Sequence, residues 1–185
     1  MKLIVLAVLL GLAGPAFGAA TGQVLDPDGA PVSGAQICAF VEGTPSQCVN
    51  ADAQGIYRME NPGRQTLLVR SSGFVPTMVM AAPLNAPVTL KRAAILRVNV
   101  IDAADGTPLS KGKVTINTPS GFRIGDFVPF NRAGVRISTL TPGPVFVRAE
   151  ADGYQPGGPM AVELVSGSER VVTVPMTKSS GPSPR

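Results

Sequence analysis

Asp26-Pro27-Asp28-Gly29-Ala30-Pro31-Val32 and Asp102-Ala103-Ala104-Asp105-Gly106-Thr107-Pro108-Leu109 are two versions of one phrase. Each sets an acidic residue, a turn glycine and a proline ahead of an apolar residue, the chemistry of a tight turn that feeds a strand. Further matches follow in the same order. Ala53-Gln54-Gly55-Ile56-Tyr57-Arg58 answers to Arg132-Ala133-Gly134-Val135-Arg136, and Gly73-Phe74-Val75-Pro76 to Gly153-Tyr154-Gln155-Pro156. Between them, Asn61-Pro62-Gly63 with Leu67-Leu68-Val69-Arg70 answers to Thr141-Pro142-Gly143 with Val145-Phe146-Val147-Arg148. The offset drifts from 76 to 80 while the order is kept, so the 185-residue chain holds one unit twice.

Both copies alternate apolar and polar residues with period two, as strands with one buried face require. Leu96, Val98 and Val100 alternate with Arg97 and Asn99; Val145, Val147 and Ala149 alternate with Arg148 and Glu150. Leu67 and Val69 occupy the equivalent inward places in the first copy, and Ala35, Ile37 and Ala39 correspond to Val114, Ile116 and Thr118. Turn residues recur every eight to twelve positions, and no helical period shows beyond the first residues. The expected fold is all-β: two tandem small antiparallel β-sandwich domains of Ig-like or prealbumin-like type, over 21–92 and 93–177. A Ser/Gly/Pro-rich tail at 178–185 is expected to be disordered.

Residues 1–20 read as a signal peptide. Met1-Lys2 is a short positive start, Leu3 to Leu12 is apolar apart from Gly11, and small residues follow Gly14-Pro15. Cleavage is expected near Gly18 or Ala20. The apolar run is too short to span a bilayer, so no stable membrane span is expected after cleavage. The destination is secreted or periplasmic. Cys38 and Cys48 suit that compartment, and Gly43-Thr44-Pro45-Ser46 between them reads as a turn that lets flanking strands meet in a structural disulfide.

Composition removes most chemistry. There is no histidine, hence no His-based general base, metal site or nucleophile pair. Ser110 precedes Lys111, but neighbours on a strand point to opposite faces and cannot easily share a proton. Asn50 to Asn61 resembles a calcium loop only at its start, because position twelve is Asn61 rather than glutamate. Met59, Met78 and Met80 lack the His or free thiolate that would complete a copper(I) site. Neither a catalytic residue, a metal nor a cofactor is expected. Net charge is +4, and the basic residues are scattered without stacking aromatics, so no nucleic-acid partner is expected.

Several of these residues carry a family pattern. Gly22-Gln23-Val24, Asp26, Gly29, Pro31-Val32, Gly34-Ala35, Asp52, Gly55, Tyr57, Pro62-Gly63 and Gly73-Phe74 resemble the carboxypeptidase regulatory-like domain, whose sandwich is similar to that of transthyretin. The second copy departs from the pattern, with Lys111-Gly112-Lys113 for Gly-Ala and Arg136 for the tyrosine. The resemblance implies an accessory, non-catalytic module, and the missing histidines set the chain apart from transthyretin-like hydrolases.

The segment 119–132 is longer than its counterpart and reads as a loop carrying Phe122, Arg123, Phe127, Phe130 and Arg132. Aromatics flanked by arginines have the composition of an interface anchor, while the same phenylalanines are suited to plugging the end of a small sandwich. The expected function is an exported accessory module that binds a protein partner through this loop. Carbohydrate binding to an envelope or extracellular glycan is the alternative, although tryptophan is absent and the two tyrosines sit at turn or core positions.

Overall fold

A computed structural model describes residues 20–41, 43–60, 66–80 and 86–181. The signal-peptide segment through residue 19, Asn61-Pro62-Gly63 and residues 182–185 lie outside the described residues. Fourteen strands and no helix are found among those described.

The first unit holds β1 (Ala20–Leu25), β2 (Gln36–Val41), β3 (Thr44–Asn50), β4 (Ile56–Met59), β5 (Thr66–Arg70), β6 (Thr77–Met80) and β7 (Val88–Thr89). The second holds β8 (Ala94–Asp102), β9 (Gly112–Asn117), β10 (Arg123–Phe130), β11 (Val135–Leu140), β12 (Gly143–Glu150), β13 (Gly157–Leu164) and β14 (Glu169–Met176). Sheet order β4-β1-β7 faces β3-β2-β5-β6 in the first; β11-β8-β14 and β10-β9-β12-β13 repeat it strand for strand in the second. Every ladder is antiparallel except one in each unit: β7 runs parallel to β1, and β14 runs parallel to β8. The last strand of each unit thus returns to lie beside its first.

Each pair of sheets encloses its own apolar cluster. Val24, Ile37, Tyr57, Met59, Leu67, Val69 and Leu90 fill the first; Leu96, Val98, Val114, Ile116, Val147, Leu164 and Met176 fill the second. The inward residues match across the repeat by register. Ile37 lies opposite Val69 on the central ladder of one unit, and Ile116 opposite Val147 on that of the other. Burying such aliphatics at roughly 1.5–3 kcal/mol each is what holds domains of this size together.

Two glycines show why the turn before β4 and β11 recurs. Gly55 and Gly134 both have φ above +70°, and a Cβ on either would strike the carbonyl oxygen of Val24 or Val98. From there the copies diverge by one residue. Tyr57 pairs with Gly22 and points inward, whereas Val135 pairs with Val98, so Arg136 points out. A one-residue slip turns a strand over, which is how the second unit does without the tyrosine.

Three local expectations change. The Cys38–Cys48 hairpin turns more tightly than Gly43–Ser46 suggested, because Thr44, Pro45 and Ser46 already belong to β3. Residues 123–130 form strand β10 rather than loop, and two register shifts, between Arg123 and Gly125 and between Gly125 and Val128, scramble its alternation. Lys178 and Ser179, assigned to a disordered tail, are tied down: Lys178 bridges to Tyr154, and the Ser179 amide donates to the Gly153 carbonyl.

Candidate functional site

The segment 119–132 spreads its five candidate residues along a hairpin. Thr118 to Phe122 form the turn, closed by the Thr118 amide donating to the Phe122 carbonyl at 2.8 Å. Phe122 stands 70% exposed at that tip, with Arg123 beside it. Phe127 follows in mid-strand, 46% exposed. Phe130 is different: only 5% exposed, it belongs to the core, and its ring covers Gly112, its cross-strand partner. Any side chain at Gly112 would collide with that ring. Arg132 lies in the turn beyond β10, roughly 25 Å along the strand from Phe122. The hairpin therefore exposes Phe122 at its tip and Phe127 with Arg123 against its ring, uses Phe130 as a plug, and leaves Arg132 apart.

Phe127 has φ +50°, the left-handed region, in a bulky residue. Such a conformation costs of order 1–2 kcal/mol. Its ring lies 5.1 Å from the Lys113 ammonium and 5.8 Å from the Arg123 guanidinium. It also rims a groove of about 500 Å³ whose walls include Lys113, Phe130, Glu150, Asp152 and Tyr154. The groove thus joins an apolar floor to charges of both signs.

Beside the groove lies a cluster that sequence reading missed. The Asp102 carboxylate, 3% exposed, accepts the Tyr154 hydroxyl at 2.9 Å and pairs with Lys178 Nζ at 3.2 Å. Its other oxygen accepts the Ala104 amide at 2.9 Å. The Ala104 amide most of all, then the Tyr154 hydroxyl and the Lys178 ammonium, hold the Asp102 carboxyl below the usual range. Asp102 in turn raises both Tyr154 and Lys178 above their ordinary values. These shifts all move away from neutrality, the reverse of what acid–base work at pH 7 asks of a group.

The first unit holds the matching arrangement. Asp26 accepts the Asp28 and Ala30 amides, and Arg92 reaches Asp26 at 2.7 Å and Asp28 at 2.6 Å. Phe74 bridges to Arg92 as Tyr154 does to Lys178. The signal was present in Gly73-Phe74 and Gly153-Tyr154, but the cations that answer them lie just beyond the terminal strands, where only a loose apolar alternation is shared. Both arrangements close the end of a sandwich.

The remaining candidates separate. Met59 is buried in the first core, while Met78 and Met80 stand on the outer face of β6, so the three do not converge. Ser110 and Lys111 precede β9, both exposed. Asp52 accepts the Gln54 and Ile56 amides, the work of a turn residue. No group of three or more His, Cys, Asp or Glu is placed to hold a metal among the described residues. Tyr57 is buried, and the Tyr154 hydroxyl is taken up by Asp102. No helix among the described residues is long and apolar enough to cross a membrane. Cys38 and Cys48 face each other across β2 and β3 and form a disulfide, their Cα atoms 4.1 Å apart.

Comparison with known proteins agrees with the first unit's pattern. Among solved structures the chain is similar to the Bacillus anthracis TIE protein, at 17% identity over 87% of this chain and 34% of that one, TM-score 0.41. It therefore spans about a third of that protein's length. It is similar also to the minor pilin GBS52 of Streptococcus agalactiae (13% identity, 88% and 98% covered, TM-score 0.40). A third likeness is to a single B repeat unit of the collagen-binding surface protein of Staphylococcus aureus (12%, 89% and 99%, TM-score 0.32). No curated protein matches the sequence. Residues 19–94 match the carboxypeptidase regulatory-like domain, and it is to this segment, which holds β1 to β7, that the family identification attaches.

Proposed function

We propose that the chain is an exported, non-catalytic accessory module, built of units 21–92 and 93–177, that binds a protein partner through the β9–β10 hairpin of its second unit. The observation that carries this reading is Phe127, held at φ +50° and yet 46% exposed. Strain in a bulky residue persists where the surroundings impose it, and it concentrates at functional sites. Here burial does not offset it. Phe122 at the tip, with Lys113 and Arg123 beside the Phe127 ring, completes the composition of an interface anchor. Placement in the periplasm or at the cell surface rests on the leader-like first residues, and a cross-strand disulfide suits that setting.

The test is affinity capture from a native envelope extract, with mass-spectrometric readout, using the wild type and the Phe122→Ala/Phe127→Ala variant. The wild type is expected to retain a protein that the variant loses while its circular dichroism is unchanged. Recovery of the same proteins by both, or of glycan alone, would refute the reading.

A further inference from the structure

Edge strands with free ladder groups invite pairing with another chain, and folded proteins guard them with charges, prolines or bulges. Most edges here are guarded: Pro45 in β3, Arg58 in β4, Pro129 in β10, Arg136 in β11, Glu163 in β13 and Pro175 in β14. Among described edges of four or more residues, β6 alone lacks a charge, a proline and a register break within the strand. Thr77-Met78-Val79-Met80 carries no charge and no proline, and it pairs with β5 without a register break.

Its outer face is exposed. Met78 is 67% and Met80 78% exposed. Met78 continues a row across the sheet through Leu68 and Cys38 to Cys48. In the second unit the row that answers to Cys38, Leu68 and Met78 is Asn117, Phe146 and Ala161, uncharged like the first but without a methionine. The shared topology therefore does not require a methionine at this edge.

We propose that β6 is the seam of a homodimer, pairing antiparallel with β6 of a second copy so that two four-stranded sheets become one of eight. The sequence of the strand selects that occupant. Met78-Val79-Met80 reads the same in both directions, so a twofold axis through Val79 sets each Met78 opposite Met80 of the second copy. This register keeps all four methionines on the outer face and both Val79 side chains on the inner one; a slip of one residue would mix the faces. No like charges meet across the axis, whereas self-pairing of β4 or β11 would crowd Arg58 or Arg136 against its own copy.

Sedimentation velocity of the purified chain over a range of concentrations tests the seam. A monomer–dimer equilibrium is expected. Met78→Lys/Met80→Lys should weaken it by about tenfold or more, with the thermal transition unmoved at dilutions where the wild type is monomeric, because both side chains are then already in water. Mixing Met78→Cys chains with Met80→Cys chains should give a disulfide-linked pair in preference to either variant with itself, with a 78–80 linkage in the peptide map. A monomer at every concentration, a dimer that the double lysine variant leaves intact, or cross-links without that preference would overturn the proposal.

Discussion

The two units share one seven-strand topology and are stabilised by different means. The first has a disulfide on the outer face of its larger sheet, a buried tyrosine over Gly22, and an arginine across its end. The second contains no cysteine; it lays Phe130 over Gly112 and ties its end with Asp102, Tyr154 and Lys178. Inward alternation specifies the fold, and it leaves the outer faces and the ends free to differ. Each unit's proposed binding surface lies in one of those free regions: the methionine edge in the first, the strained phenylalanine in the second.

The largest expected difference concerns the one-residue slip. Tyr57→Ala should cost the first unit about 3–5 kcal/mol, the usual loss for a buried aromatic. Arg136→Ala, at the position the repeat aligns with it, should leave the second unit's unfolding nearly unmoved. Denaturant melts that move equally would contradict the slip. Next, Cys38→Ala/Cys48→Ala should remove about 2.5–3 kcal/mol, the chain-entropy value for so short a loop. That loss should fall on the first unit, which residue-resolved hydrogen exchange can verify. Gly112→Ala should displace the Phe130 ring and destabilise the second unit by about 1–3 kcal/mol, as overpacking does.

The smallest effect is the pH dependence of the second unit. The folded Asp102 carboxyl is depressed, chiefly by the Ala104 amide, so its stabilising contribution is complete above the ordinary carboxylate range. It is lost as pH falls through the depressed value. Lys178 and Tyr154 are raised, so their contributions are present below their ordinary values and decline as pH rises through the raised ones. Amide-resolved melts against pH should show both limbs in wild type. Tyr154→Phe should flatten the alkaline limb, and an unchanged profile would remove the hydroxyl from the cluster.

Much of the architecture was legible because alternation and turn chemistry are local. Leu67 and Val69, Val145 and Val147, Leu96 and Val98 all point inward as their spacing demands. The parallel last strands were not legible: Val88 to Arg92 and Val174 to Lys178 share little beyond an apolar alternation ending in a cation, and β7 has only two residues in its ladder. Strand β10 at 123–130 reads as loop in the sequence because its two register shifts break the two-residue period. Composition sets Phe122, Phe127 and Phe130 apart but cannot divide them, since anchor and plug use the same residue. Only packing against Gly112 separates Phe130 from the two that stay exposed.

That one design is used twice, each copy closed by a final strand parallel to its first, can be tested by solution NMR of cross-strand contacts. Parallel contacts are expected between Val24 and Val88 and between Val100 and Val174, with Tyr57 opposite Gly22 and Val135 opposite Val98. Contacts pairing Val135 with Asn99, or an antiparallel final strand in either half, would contradict it.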